Sequence, residues 1–325
     1  MTLRKKTPAR KAATHPSPNH STLRLLPNVS GKRRLGGAMK RGAHTYTLMD
    51  DNHPGCSFSD FSWPRLQQCP HDVKSIIFAG RINSAAKDSR SIADLDGGLD
   101  GYNWKIRFED GGPLYVLKML WDTEPPTPSH YFAVQREFHN AALLQMMQAA
   151  LSEDKAWLGP VLVDPSPASA AAATINMFAF CDETRGRNAA EPPANDKLVE
   201  VTTMPRMRRC FGWMRFRGIE LLRRMPADLH PPMSLMVGKV ERCIDADLTY
   251  MALVYEFVEE GENDPAAMQE VLDFLWRAGF AYAPVTKAEN WTSSVLLDHS
   301  EIVGCGEHGW DERLFGHRTA KEVLR

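Results

Sequence analysis

Alternation of apolar and polar positions divides the chain beyond about residue 72 into short strands first and helices later. Residues 75–78 are a short apolar run, residues 103–108 alternate, and residues 114–120 are apolar apart from one lysine. Each predicts a strand, and Gly111-Gly112-Pro113 marks the turn between the last two. From 129 to 150 the period lengthens to that of a helix, with Phe132, Phe138, Ala142, Leu143 and Met146 near one face. Residues 158–163 predict another strand, and the alanine-rich stretch 167–175 fits no single element. Residues 182–196, polar with Pro and Gly, predict a loop. Residues 251–258 (MALVYEFV) predict a strand. Residues 265–278 predict a helix with Asp264 as N-cap and Gly279 beyond its end. Residues 295–297 form a last short strand ending at Asp298. Strands, one helix, a further strand and then mostly helix make an α+β arrangement, and no internal repeat is present.

Charge changes this picture at the N-terminus. The net charge is −1, with 39 Lys and Arg against 40 Asp and Glu. Residues 1–49 hold 11 of those bases and no acid, leaving 28 bases against 40 acids in the rest. A basic arm therefore precedes an acidic body. Residues 1–72 are expected to be disordered, because the arm is rich in Pro, Ser, Thr and Gly and poor in aromatics. Clusters such as Arg4-Lys5-Lys6 and Lys32-Arg33-Arg34 suit nuclear import or contact with nucleic acid through residues 1–49; a solvated tail is the bland alternative. A mitochondrial presequence ranks lower, since the arm lacks an amphipathic apolar stripe. No run of about 18 apolar residues predicts a membrane span, and no apolar h-region predicts secretion. Six cysteines without a C-x-x-C pair argue against a disulfide scaffold or zinc finger, and for a reducing compartment.

Four pieces carry chemistry. Residues 95–101 (LDGGLDG) form a glycine-rich turn between two predicted strands, and glycine lets backbone approach phosphate closely. Lys118 is a cation in an apolar strand and needs a partner there. Glu137 lies on the following helix. The apolar strand 254–258 runs into the acidic turn Glu259-Glu260-Gly261, and Lys287, Asn290 and Asp298 follow.

This order resembles the protein kinase fold. Gly98 and Gly101 look like the second and third loop glycines, with Asp96 replacing the first. Tyr115-Val116-Leu117-Lys118 looks like the lysine strand and Glu137 like the paired helix glutamate. The spacings of 17 residues from Gly101 to Lys118 and 19 from Lys118 to Glu137 match. The resemblance implies a small antiparallel-sheet N-lobe with one helix and a shortened, mainly helical C-lobe. It assigns residues 73–262 to the N-lobe, with an insertion at about 183–247, and 263–325 to the C-lobe. It also implies an ATP site at Gly98, Gly101, Lys118 and Glu137, with magnesium on Asn290 and Asp298. The catalytic loop departs from the pattern: aligned on Lys287 and Asn290, its first three positions are Ala283, Pro284 and Val285. Valine cannot accept a hydroxyl proton. Eight residues separate Asn290 from Asp298, 27 follow Asp298, and no A-P-E motif is present. The expectation is a pseudokinase that binds protein partners.

Residues 98–106 (GLDGYNWKI), Trp121-Asp122, Arg136-Glu137 and 274–280 (FLWRAGF) before Asn290-Trp291 also resemble a fungal family grouped with a kinetochore Sim4 complex subunit, the Fta-two type. That resemblance implies a nuclear protein at the centromere with kinetochore subunits as partners; a cytoplasmic location is the alternative. Two other functions stay open: an ATP-dependent phosphotransferase with an atypical catalytic loop, and a nucleic-acid-associated protein acting through its arm. Among minor features, Cys305 and His308 have ligand-like spacing without the partners zinc needs. Residues 213–224 (WMRFRGIELLRR) predict a basic surface helix.

Overall fold

The computed structural model describes residues 55–82, 100–126, 130–193, 195–231, 235–237, 240–283 and 287–325, with the backbone of 49–50. These all lie within the unit Arg41–Arg325. Gly98, Asp96, Val285 and residues 1–48 of the basic arm lie outside the described residues.

Folded structure begins earlier than expected, with Met49–Asp50 pairing in parallel with Leu66–Gln67. Ser57 caps the short helix α1 (Phe58–Ser62) by accepting from the Asp60 N–H. Cys56, Phe61, Leu66 and Cys69 are all buried, and the Cys69 N–H reaches the Trp213 carbonyl at 2.9 Å. The expected disordered arm 1–72 therefore ends too late. Arg65 is the only Lys or Arg in 55–72, and the segment carries enough apolar surface to pack.

Next come β1 (Ile77–Arg81), β2 (Gly101–Arg107) and β3 (Tyr115–Leu120), followed by the long helix α2 (Ala133–Ala150). Then follow β4 (Val161–Val163), α3 (Ala170–Phe178) and α4 (Asp182–Ala190). The alanine-rich stretch resolves as helix because Ser169 caps it through the Ala172 N–H. The predicted loop at 182–196 begins as helix α4. Its Arg185 is buried and donates to the carbonyls of Gly159, Ala150 and Lys155, so tertiary docking outweighs a composition that favours a loop.

The rest of the chain is β5 (Val199–Val201), β6 (Cys210–Arg217), α5 (Gly218–Arg224), the hairpin β7 (Leu235–Val237) and β8 (Val240–Arg242), and β9 (Thr249–Glu256). Helix α6 (Pro265–Arg277) follows, then the short strands β10 (Ala281–Tyr282), β11 (Trp291–Thr292), β12 (Val295–Leu296) and β13 (Ile302–Val303), and helix α7 (Ala320–Val323). Asp264 caps α6 by accepting from Ala266 N–H, and Gly279 beyond its end takes φ +92°, as the sequence predicts.

Five strands form one antiparallel sheet in the order β1-β2-β3-β9-β6. Two readings of the sequence change here. The supposed insertion at 183–247 contains β6, a strand of this sheet. Residues 213–217 are strand, not helix: Trp213 and Phe216 are buried while Arg215 and Arg217 face out, and Met214 pairs with Ala252. Only Gly218–Arg224 is helical.

The sheet is covered on both faces. On one, Tyr102, Trp104, Ile106, Leu117 and Met119 pack with Leu221, Met225 and Leu235 from the segment after β6. On the other, Val116, Leu120, Leu253 and Tyr255 pack against Phe138, Ala141 and Ala142 of α2. A second core joins the later half of α2 to Phe61, Val161, Met177, Leu272, Leu275, Trp291 and Val323. Residues 73–262 are thus not one lobe, because the stretch from α2 to α4 contributes to the core built by 263–325.

Candidate functional site

Strand β3 points alternate side chains to opposite faces. Val116, Lys118 and Leu120 therefore look toward α2. Lys118 is 6% exposed, and an ammonium so placed requires charged partners. Glu137, fully buried on the second turn of α2, accepts a hydrogen bond from Lys118 Nζ. Asp298, on the loop after β12, accepts from the same Nζ at 2.9 Å. The Tyr255 hydroxyl of β9 donates to the other Glu137 oxygen at 2.7 Å. Residues 180 positions apart thus meet at one ammonium, using two of its three protons.

The charges settle unevenly. Burial opposes the charge on Lys118, but Asp298 and Glu137 outweigh it and hold its pKa above the ordinary value. Asp298, one-third exposed, is resisted by burial yet pulled well below the usual carboxylate range by Lys118 and the Ser300 N–H. Glu137 has no solvent. Burial pushes its pKa up to about 7 against the pull of Lys118, and Asp298 adds to the rise. Of two carboxylates on one cation, the solvent-facing one keeps its charge more firmly.

Arg208 extends the network. It is buried, its guanidinium lies 4.6 Å from the Tyr255 ring centroid, and it donates to the Leu297 carbonyl at 2.6 Å and the Glu256 carbonyl at 3.1 Å. It therefore ties the end of β9 to the residue preceding Asp298. His299 packs edge-on to Tyr255 and is held neutral, burial and then Arg208 pushing its pKa down to about 3. Asn140 Nδ2 donates to the carbonyls of His299 and Ile302 at 2.8 and 2.7 Å. Arg136 donates to the His308 carbonyl at 2.6 Å. Helix α2 thus grips the loop carrying Asp298 through successive turns.

Of the residues expected to act together, Lys118, Glu137 and Asp298 meet. Asn290 does not join them: its amide donates to Glu301 at 2.6 Å. Glu301 also accepts the Lys287 N–H, and burial raises its pKa to about 6 against the pull of Asn290. The two residues expected to hold magnesium thus have different side-chain partners, although the Asn290 carbonyl accepts from the N–H of Leu297 next to Asp298 at 2.7 Å; no cluster of three or more His, Cys, Asp or Glu suited to a metal occurs among the described residues. Cys305 instead lies 3.1 Å from the Thr174 hydroxyl. Gly101 opens β2, and a Cβ there would lie 2.2 Å from the Met119 carbonyl oxygen. Close strand approach is enough to require glycine at that position.

Sequence reasoning missed Tyr255, Arg208 and Asn140. For Tyr255 a signal existed, since a tyrosine inside an all-apolar strand needs a partner for its hydroxyl. Arg208 lies in an arginine run that gives no hint of burial. No family model, curated protein or solved structure matches this chain.

Proposed function

We propose that this chain is a non-catalytic, protein-kinase-like scaffold that binds protein partners. The observation that carries the reading is the pairing at Asn290. Its amide nitrogen donates to Glu301 while Asp298 accepts from Lys118, so each of the two groups that would hold a metal already has a partner within the protein. The sheet order, the lysine–glutamate pair between β3 and α2, and an aspartate following a short hairpin support kinase-like ancestry. Val285 at the position of the catalytic base supports loss of phosphotransfer. The sequence resemblance and the basic arm support a nuclear, centromere-associated role with kinetochore subunits as partners.

The third proton of Lys118 favours one further reading, a retained site for a nucleotide phosphate. ATP-dependent thermal unfolding of the full chain, run beside a phosphotransfer assay, separates the two. The scaffold reading expects no transfer of labelled phosphate and no magnesium-dependent shift. A nucleotide at 100 times its Kd would instead stabilise the fold by about 2.7 kcal/mol, a shift of a few degrees, abolished by Lys118→Ala. Measurable phosphotransfer by the purified chain overturns the scaffold reading.

A further inference from the structure

Away from the lysine cluster, four rings and a guanidinium form a ladder at the margin of the sheet face opposite α2. His71 stacks on Phe108 with ring centroids 4.1 Å apart. Phe108 meets Tyr115 edge-on at 5.1 Å, and Tyr115 meets Phe211 at 5.0 Å. The Arg209 guanidinium lies 4.6 Å from the Phe211 centroid and ends the row. The row crosses one end of the sheet: Phe108 follows β2, Tyr115 opens β3 and Phe211 lies near the start of β6. Phe108, Tyr115 and Phe211 rest on the core around Trp104. All four rings are nevertheless half-buried rather than buried, and Arg209 is exposed.

The polar groups of the ladder are free to meet a ligand. Among the described residues the His71 ring nitrogens, the Tyr115 hydroxyl and the Arg209 guanidinium have no hydrogen-bond or ion-pair partner. Asp72, beside His71, is occupied in capping the Lys74 N–H, and Glu256, near Arg209, pairs with Arg206. Glu109 and Asp110 sit on the β2–β3 turn, so the basic pole of the ladder is its Arg209 end. The sequence adds a second observation. Residues 1–49 hold 11 Lys and Arg and no acid, a composition suited to a polyanion. That segment enters the fold at Met49–Asp50, which pair with Leu66–Gln67. The same stretch continues through Cys69, bonded to the Trp213 carbonyl, toward His71.

We propose that the ladder is a stacking platform for single-stranded nucleic acid. The half-open rings take bases, whose π-faces every sequence provides, and Arg209 and His71 meet phosphate or base-edge acceptors. A proline-rich peptide also favours aromatic surfaces, but it offers no negative charge to Arg209 and the basic segment. This surface goes beyond the scaffold reading. Phosphotransfer plays no part in its test, so a failure here leaves the result at Lys118 standing.

The test is fluorescence anisotropy of the full chain with a labelled oligothymidylate of about 12 nucleotides. An abasic oligomer of equal length, the corresponding duplex and a proline-rich peptide are the comparisons. All are measured at about 0.3 M salt, where exposed charges are largely screened. The abasic oligomer keeps the phosphates and so reads charge without stacking. The oligothymidylate should bind about tenfold more tightly than the abasic oligomer, and more tightly than the duplex. Tyr115→Leu with Phe211→Leu keeps apolar bulk, removes two π-faces and should erase that advantage. Arg209→Gln should lower the slope of log affinity against log salt by about one. Arg209 is exposed and has no ion pair, so this variant decides the matter if the double leucine variant loses its melting temperature. Equal binding of the abasic oligomer or the duplex, tighter binding of the peptide, or indifference to these substitutions overturns the proposal.

Discussion

The two faces of the five-stranded sheet are buried equally well by different means. The face under α5 and the β7–β8 hairpin is filled by Trp104, Tyr102, Ile106, Leu117 and Met119. The face under α2 buries Lys118, Glu137 and the Tyr255 hydroxyl among apolar neighbours. An apolar face needs volume and shape, and tolerates exchange of one large side chain for another. An ionic face needs each group at a particular place, because one missing partner strands a charge away from water. Demanding geometry on one face and bulk on the other makes the two faces differ in the substitutions they tolerate.

Substitutions on the two faces should break this contrast or sharpen it. Lys118→Ala leaves Glu137 and Asp298 facing each other without a cation and should cost about 3–5 kcal/mol in chemical denaturation. Trp104→Ala on the other face should cost a similar amount through the cavity it leaves. The contrast lies in the rescue. Lys118→Met combined with Glu137→Leu and Asp298→Asn should recover most of the first loss, since removing the cation together with both carboxylates leaves no stranded charge. If the triple variant is no more stable than Lys118→Ala, the ionic face is not governed by pairing.

Asn140→Leu should cost about 2 kcal/mol, because two buried carbonyls of the Asp298 loop lose their donor. Faster hydrogen exchange confined to residues 298–308 would localise that loss to the loop, whereas uniform exchange would contradict the clamp.

The titration of Glu137 gives a smaller, signed effect. Its pKa is raised from 4.5 to about 7, so the folded chain holds a proton that the unfolded chain releases. Its contribution to stability is greatest below about pH 4.5, falls as pH rises through about 7, and is level above. Stability curves of the native chain and Glu137→Gln should diverge across that window and run parallel above it. The smallest expected loss is Asp264→Ala at the start of α6, about 1 kcal/mol, which should leave both sheet faces undisturbed.

Much of the architecture was legible in the chain. The apolar run with one lysine at 118, the helix with Glu137, the cap and stop around α6, and Asp298 at the end of a short apolar run all fall where the pattern predicts them. These are local signals, fixed by side-chain periodicity and by the backbone demands of Asp264 and Gly279.

Other features depend on contacts far along the sequence. That 55–72 folds, that 213–217 of the expected basic helix is sheet strand, and that α4 is helical all follow from distant partners such as Trp213 for Cys69 and Gly159 for Arg185. The site shows the same division. The sequence by itself supplied a lysine, a glutamate and an aspartate at suggestive spacings. Only tertiary structure brought them to one ammonium, paired the Asn290 amide with Glu301, and recruited Tyr255 and Arg208. Periodicity specifies which face a residue occupies; only packing determines which distant group a buried charge must meet there.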